Sequence, residues 1–403
     1  MNILFLNIFQ PSGNASGGIA RVTCNLGNLF TLNGHRCRLA YYNGSGRKDE
    51  DCFEESVQLT LHNEKHQLEP FAASSDVVII QVQMTKAYMH LIPLFDLFRA
   101  KYGTKFVYCH HTVPFSEAEG YDLKYLWFLI FHSKLKFVER IKESLWCLTS
   151  ICFPGFSVRK IAKRRKYVTD HTDKTVLLSE SFIPQYLKYV KCPKEKVVGI
   201  GNCCTFKETI PISDLEAKEK TILVVANMNE RAKRISAVLE IWKEISKKDF
   251  SKGWNLIIVG DGEDLDYYRK KAKRLKLTNC SFEGKQNPLP YYRKSSILLM
   301  TSAFEGFGMV ILEAQQMGCV PVSFESSSSI HDIINNEENG IIVPNFDRKV
   351  FINKLHELMD DSDKLKKMSI NCLKNKERFS DSSVYSKWVT ILNPDNSHNN
   401  YRL

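Results

Sequence analysis

The sequence predicts an α/β chain built from two doubly wound, parallel-sheet domains in tandem. Three observations carry this. Short apolar runs of buried-strand type alternate with helix-length segments along 403 residues, and repeated β-then-α implies a parallel sheet covered on both faces. The alternation stops once, at the polar stretch 206–220 with its Pro211, and then restarts. The length suits about two to three domains.

The elements follow in order. Residues 1–205 open with a strand at 2–9, a helix at 19–33 closed by Gly34, and strands at 36–42, 57–61 and 77–82. A helix at 87–101 closed by Gly103 precedes the strand 105–109. The runs 146–153, 175–178 and 197–200 read as further short strands. After the linker, residues 206–380 repeat the pattern. Strands are expected at 221–226, 254–259, 280–282, 297–300, 319–324 and 340–343, with helices near 235–246, after Gly262 and after Gly308. Residues 381–403 form a closing helix and a frayed tail, with the helix expected to pack back on the first domain. In open parallel sheets ligands sit beyond the carboxyl ends of the strands, so two such domains facing each other make one deep cleft.

Composition narrows the function classes. Apolar residues are 43% and charged residues 25%, which is globular. No apolar run reaches the roughly 18 residues of a spanning helix. Residues 1–9 lack the basic n-region of a secretory signal. The twelve cysteines are scattered with no C-x-x-C pair, which suits reduced, mostly buried thiols and a cytoplasmic protein. The net charge of +11 is uneven: residues 124–167 hold eleven basic and two acidic side chains. Two readings of this stretch stand side by side. One is a buried helix with a solvated basic face. The other is an interfacial helix (124–147) plus a polybasic cluster (159–166) that together hold the chain on an anionic membrane surface. Nucleic-acid binding through the patch is not expected, because no RNP, KH or zinc signature accompanies it.

Two glycine-rich strand-to-helix turns carry candidate chemistry. SGNASGGIAR places Gly17 and Gly18 after the first strand, where backbone N–H groups at a helix start can meet an anion. SAFEGFGMVILEAQQMG sets Glu305 on a loop at a strand end and Glu313 on the following helix, with Gly306, Phe307 and Gly308 between. The run Glu305-Gly-Phe-Gly to Glu313 resembles the signature of GT-B retaining glycosyltransferases of the large family 4 group. Other landmarks fall in order: Gly17–Gly18, His111 in VYCHHTVPF, IIVGDGED, FEGK, GCVPV and NGIIVP. The resemblance implies a GT-B fold, with two Rossmann-like domains across a cleft. It implies a sugar transfer from a nucleotide-sugar donor with retained configuration, to a glycan or lipid-linked acceptor in surface-polysaccharide synthesis, at the inner membrane face.

By the same resemblance Glu313 binds the ribose, Glu305 the sugar hydroxyls, and His111 the transferred sugar. Gly17, Gly18, Gly306, Phe307 and Gly308 line the donor. The departing nucleoside diphosphate needs fixed positive charge, which the family supplies with an Arg/Lys pair after the second domain's first strand. Here that strand ends VVANMNERAKRI. Asn227 stands in the arginine's place, Lys233 matches the lysine, and Arg231 or Arg234 compensates. His110 competes with His111, because neighbours on a strand point to opposite faces. The D-x-D pairs at 49–51, 264–266 and 361–363 read as structural, so no metal or other cofactor is expected. A phosphorylase or epimerase on the same fold lacks a supporting motif. The alternatives are a degenerate, non-catalytic GT-B partner protein, which Asn227 invites, and a basic nucleic-acid-binding protein, which the charged patch alone would invite.

Overall fold

The computed structural model describes residues 1–11, 18–44 and 53–392. They form two compact units. One comprises Met1–Pro114, Lys160–Cys203 and the chain from Phe379; the other comprises Phe115–Arg159 and Cys204–Arg378.

The first unit holds a seven-stranded parallel sheet: β1 Asn2–Phe9, β2 Arg36–Asn43, β3 Glu55–Gln58, β4 Val77–Ile80, β5 Lys105–His110, β6 Lys174–Leu177 and β7 Val197–Gly199. Their order is β3-β2-β1-β4-β5-β6-β7. Alternate residues feed two cores, as a sheet covered on both faces requires. Ile3, Phe5, Val77, Ile79 and Val107 pack with Val22, Leu26 and Phe30 of the helix Gly18–Leu32 and with Val384 and Trp388 of the helix Asp381–Leu392. Leu4, Leu6, Val78, Ile80 and Phe106 face the other way, onto Leu68, Phe95 and Phe98. Trp388 meets Phe30 edge-on at 5.7 Å between ring centroids, and Tyr385 OH lies 2.8 Å from His35 Nε2.

The second unit holds a six-stranded parallel sheet: β8 Glu219–Val225, β9 Asn255–Val259, β10 Cys280–Gly284, β11 Ser295–Met300, β12 Val320–Phe324 and β13 Ile341–Val343. The order is β10-β9-β8-β11-β12-β13. Ile222 and Ile297 are in register across β8 and β11. The core joins Ile222, Val224, Leu256 and Ile297 to Val238, Leu239 and Trp242 of the helix Ile235–Ile245.

The structure departs from the sequence reading in three places. The run 146–153, expected as a strand, is the end of the helix Phe137–Cys152. Its apolar residues are not spaced for one face, and only Cys147 and Ser150 of that helix are buried. Residues 115–159, expected in the first domain, belong to the second unit. There Phe128 packs edge-on against Tyr267 at 4.9 Å and Lys134 pairs with Asp266 at 2.6 Å. Finally, the 159–166 cluster is not a uniform basic surface. Arg165 is completely buried, with Nη1 donating to Tyr108 OH at 3.2 Å, and Lys166 pairs with Asp170.

Because Trp388 is 3% exposed and fills the first core, Trp388→Ala is expected to cost about 3–5 kcal/mol. Circular dichroism in urea reads this as a lowered unfolding midpoint. An unshifted midpoint would remove the closing helix from that core.

Candidate functional site

In the second sheet β8 and β11 lie side by side at the centre, with chain order running outward in opposite directions from them. Loops beyond the carboxyl ends of two such strands splay apart and leave a crevice. Here those loops are 226–234 and 301–308, and the structure laces them together. Ala303 N donates to Ala232 O at 2.7 Å. Thr301 Oγ1 lies 3.2 Å from Lys233 O and 3.1 Å from Arg234 O. Asn229 caps the four-residue helix Glu230–Lys233 by accepting from Ala232 N.

This lacing presents one ion pair. Lys233 Nζ donates to Glu305 Oε1 at 2.5 Å, and Ser302 Oγ donates to the same oxygen at 2.5 Å. The Lys233 side chain is 25% exposed and that of Glu305 10%. A carboxylate and an ammonium are thus held at a crevice mouth, one able to accept from hydroxyl groups and the other to meet an anion. Ser302 was not singled out from the sequence; its position three residues before Glu305 on one loop is the signal that was there.

Both arginines of the same loop hold neighbouring chain through one guanidinium nitrogen. Arg231 Nη2 donates to Ser116 O at 2.8 Å and Glu119 O at 3.0 Å. Its guanidinium lies 4.3 Å from the Tyr121 ring centroid and 5.4 Å from that of Phe304. Arg234, 5% exposed and at φ 52°, donates to Gly120 O at 2.9 Å and Asp122 Oδ2 at 2.8 Å. Both expected stand-ins for Asn227 are therefore clamps on residues 116–122. Gly120 completes the clamp. It sits at φ 76°, and a Cβ there would come within 2.7 Å of Arg231 O and of the Phe304 ring. Asp122 also caps the helix Leu123–Phe131, accepting from Tyr125 N at 2.7 Å.

Glu313, the residue that the resemblance assigns to the ribose, lies inside the second unit. It is completely buried, and its oxygens accept from Thr205 Oγ1 at 2.9 Å and Tyr292 OH at 3.0 Å. It stands mid-helix on Met309–Gln316. Gly308, at φ 87°, starts that helix; Phe307 is buried and Gly306 half-buried.

On the first unit, the two histidines of the doublet differ in exposure. His110 is 1% exposed, with Nδ1 3.3 Å from Tyr108 OH and Nε2 3.4 Å from Thr112 Oγ1. Burial and the neighbouring Arg165 hold it neutral. His111 is half-buried and donates from Nε2 to Gln81 Oε1, just past β4. Burial pushes His111 down to about 4, so at neutral pH it is an uncharged ring. Gly18 is exposed at the first turn of its helix, with open space where a Cβ would point. Gly17 lies outside the described residues, as does the pair 49–51.

The remaining D-x-D pairs have structural partners. Asp361 caps the helix Ser362–Asn375. Asp266 pairs with Lys134. Asp264 Oδ2 accepts from Glu230 N at 2.8 Å, and burial pushes the Asp264 carboxyl up to about 6.

Comparison with known proteins bears on family and fold. Residues 205–374 match the family model described as glycosyl transferases group 1. The amylovoran biosynthesis glycosyltransferase AmsD of Erwinia amylovora is 25% identical over 260 residues, 63% of this chain and 71% of AmsD. A Campylobacter jejuni enzyme, named as an α-1,4-N-acetyl-D-galactosaminyltransferase acting on a diphospho-undecaprenol-linked glycan, is 22% identical over 221 residues, 55% of this chain and 60% of that one. Among solved structures, Anabaena Alr3699/HepE in complex with UDP matches 98% of this chain and 100% of its own, with TM-score 0.69 and 15% identity, a likeness of fold.

Two predictions follow from the packing of this site. Arg234→Met keeps the stem and removes the donors to Gly120 and Asp122. It is expected to loosen residues 116–131 by about 2 kcal/mol, or ~30-fold faster amide exchange in that segment; unchanged protection would show that the clamp holds nothing. Asp264 titrates near 6 folded against about 3.9 unfolded, so the native state keeps a proton that the unfolded chain releases. Stability is lost as pH rises through that window. Asp264→Asn should therefore raise the melting temperature at about pH 7.5 and lose that advantage at about pH 3.5; an equal offset at both would trace the effect to packing.

Proposed function

We propose that this chain, which carries a glycosyl transferases group 1 domain on the GT-B architecture, is a retaining glycosyltransferase. It moves a sugar from a nucleotide-sugar donor to a glycan or lipid-linked acceptor in bacterial surface-polysaccharide synthesis. The observation that carries the reading is the Lys233–Glu305 pair at the crevice of the second sheet. UDP is the donor nucleotide to try first, because the fold neighbour HepE was solved with it. The named substrate of the Campylobacter relative supports a lipid-linked acceptor.

The chemistry asks for charge stabilisation at the leaving group. A nucleoside diphosphate departs with growing negative charge, and a fixed cation in a partly dry site lowers that cost. Lys233 is that cation. Its ammonium is already oriented by Glu305, so little reorganisation accompanies the reaction. Glu305 has two oxygens; Oε1 is taken by Lys233 and Ser302, and the carboxylate accepts from hydroxyls of the transferred sugar. His111 serves as a neutral hydrogen-bonding ring, since it carries no charge above about pH 5. Arg231 and Arg234 are left out of this scheme, and the reaction is expected to need no metal. No described helix is long and apolar enough to cross a membrane, and we place the enzyme peripherally at the cytoplasmic face, where lipid-linked acceptors are presented.

The test is calorimetry of the purified chain with UDP, GDP and ADP and their common sugar conjugates, with and without EDTA. Micromolar binding of one nucleotide, unaffected by EDTA, is expected. Lys233→Ala and Glu305→Gln should each lower turnover about 10²–10³-fold, with the fold intact by circular dichroism. Absence of binding across the whole panel would sink the donor reading. Full turnover in both variants would remove the pair from the reaction.

A further inference from the structure

Eleven of the nineteen exposed large apolar side chains among the described residues fall between positions 123 and 156. They are not scattered. Leu123, Trp127, Ile130 and Phe131 lie at helical spacing on one side of the helix Leu123–Phe131. Val138, Ile141, Leu145 and Leu148 lie at the same spacing on the helix Phe137–Cys152. Phe137, Phe153 and Phe156 extend the set at the helix ends, and each is at least 60% exposed. The opposite sides of these helices are already spent: Tyr125, Phe128, Leu129 and Cys147 form a small core with Tyr267. Each helix is therefore apolar on two sides, one packed and one bare, and bare apolar patches of this extent mark interaction surfaces.

We infer that the outward face of residues 123–156 inserts into the interfacial region of an anionic lipid bilayer. This rests on the peripheral-membrane reading above and locates its surface. Charge selects the occupant. Between 123 and 159 stand five basic residues, Lys124, Lys136, Arg140, Lys142 and Arg159, besides Lys134, which is paired with Asp266, against Glu139 and Glu143 alone. A second copy of the chain would bring the same positive surface against itself, which an isologous contact cannot avoid. A nucleic acid would satisfy the charges and leave the phenylalanines and leucines in water. An anionic headgroup layer over acyl chains satisfies both, with aromatic side chains at the boundary. Neither helix spans a membrane, so the segment lies in the plane of the interface. The cluster at 159–166 contributes less than the sequence suggests, because Arg165 is buried.

The experiment is sedimentation of the full chain with vesicles of phosphatidylethanolamine and phosphatidylglycerol in equal parts, at low and high salt. The parent should bind, and insertion should leave part of that binding in high salt, where exposed charges are screened. Two double variants, Phe131→Ser with Phe137→Ser and Ile141→Asn with Leu145→Asn, should each bind vesicles about tenfold more weakly, while nucleotide binding by calorimetry stays at the parental value. Parental vesicle binding in both variants overturns the insertion face and leaves a purely electrostatic membrane reading standing. A parent that ignores the vesicles overturns both membrane readings without touching the transferase reading, which the calorimetry tests separately. A parent that dimerises through this face, with the variants monomeric in sedimentation equilibrium and no vesicle binding, assigns the face to a second copy and overturns the inference.

Discussion

A cation drawn into a protein must be paired where it lies, and at the end of β8 three cations within four residues satisfy this rule in different ways. Lys233 finds Glu305 on the neighbouring loop. Arg231 finds two carbonyls and two aromatic rings. Arg234 finds a carbonyl and a carboxylate. The arginines' choice leaves Lys233 as the loop's cation at the crevice, and it also brings residues 116–122 onto the second unit. The helices that follow inherit their position from that anchor, through Asp122, which pairs with Arg234 and caps Leu123–Phe131 at once.

The strands were legible because buried parallel strands read as unbroken apolar runs, as TILVVA and ILLM do. WCLTSICF looked the same and ends a helix; a short apolar run does not reveal its period, and the deciding context is the nine helical residues before it. The placement of 115–159 was not legible, since the residues that hold it, Arg231, Arg234 and Tyr267, lie about a hundred positions further on. Lys233 and Glu305 were named through the family resemblance, and the structure brings the two together. Which of Arg231, Lys233 and Arg234 turns inward could not be named, because Arg234 leaves the helix in a left-handed conformation that redirects its side chain.

Glu313 shows how a motif position and a solvent-facing position differ. The helix Met309–Gln316 has two tasks at its two ends. Its start at Gly308 follows directly from the loop that carries Glu305. Further along, Glu313 accepts from Thr205, and Gln316 binds the backbone at Thr205 and Phe206. The chain's entry into the second unit is therefore tied to the helix that begins beside Glu305. A buried carboxylate with hydroxyl donors on both oxygens links two parts of the unit, and sequence spacing alone does not reveal that link.

The segment 115–159 joins two surfaces of opposite character on one short piece of chain. Its inner side is bound to the loop that holds Lys233, and its outer side is bare apolar surface. Thr301 then bonds the carbonyls of both Lys233 and Arg234, so the clamp and the ion pair share a single hydroxyl. Gly120 and Asp122 are thus joined to the backbone of Lys233 by a continuous chain of hydrogen bonds that runs through Arg234 and Thr301.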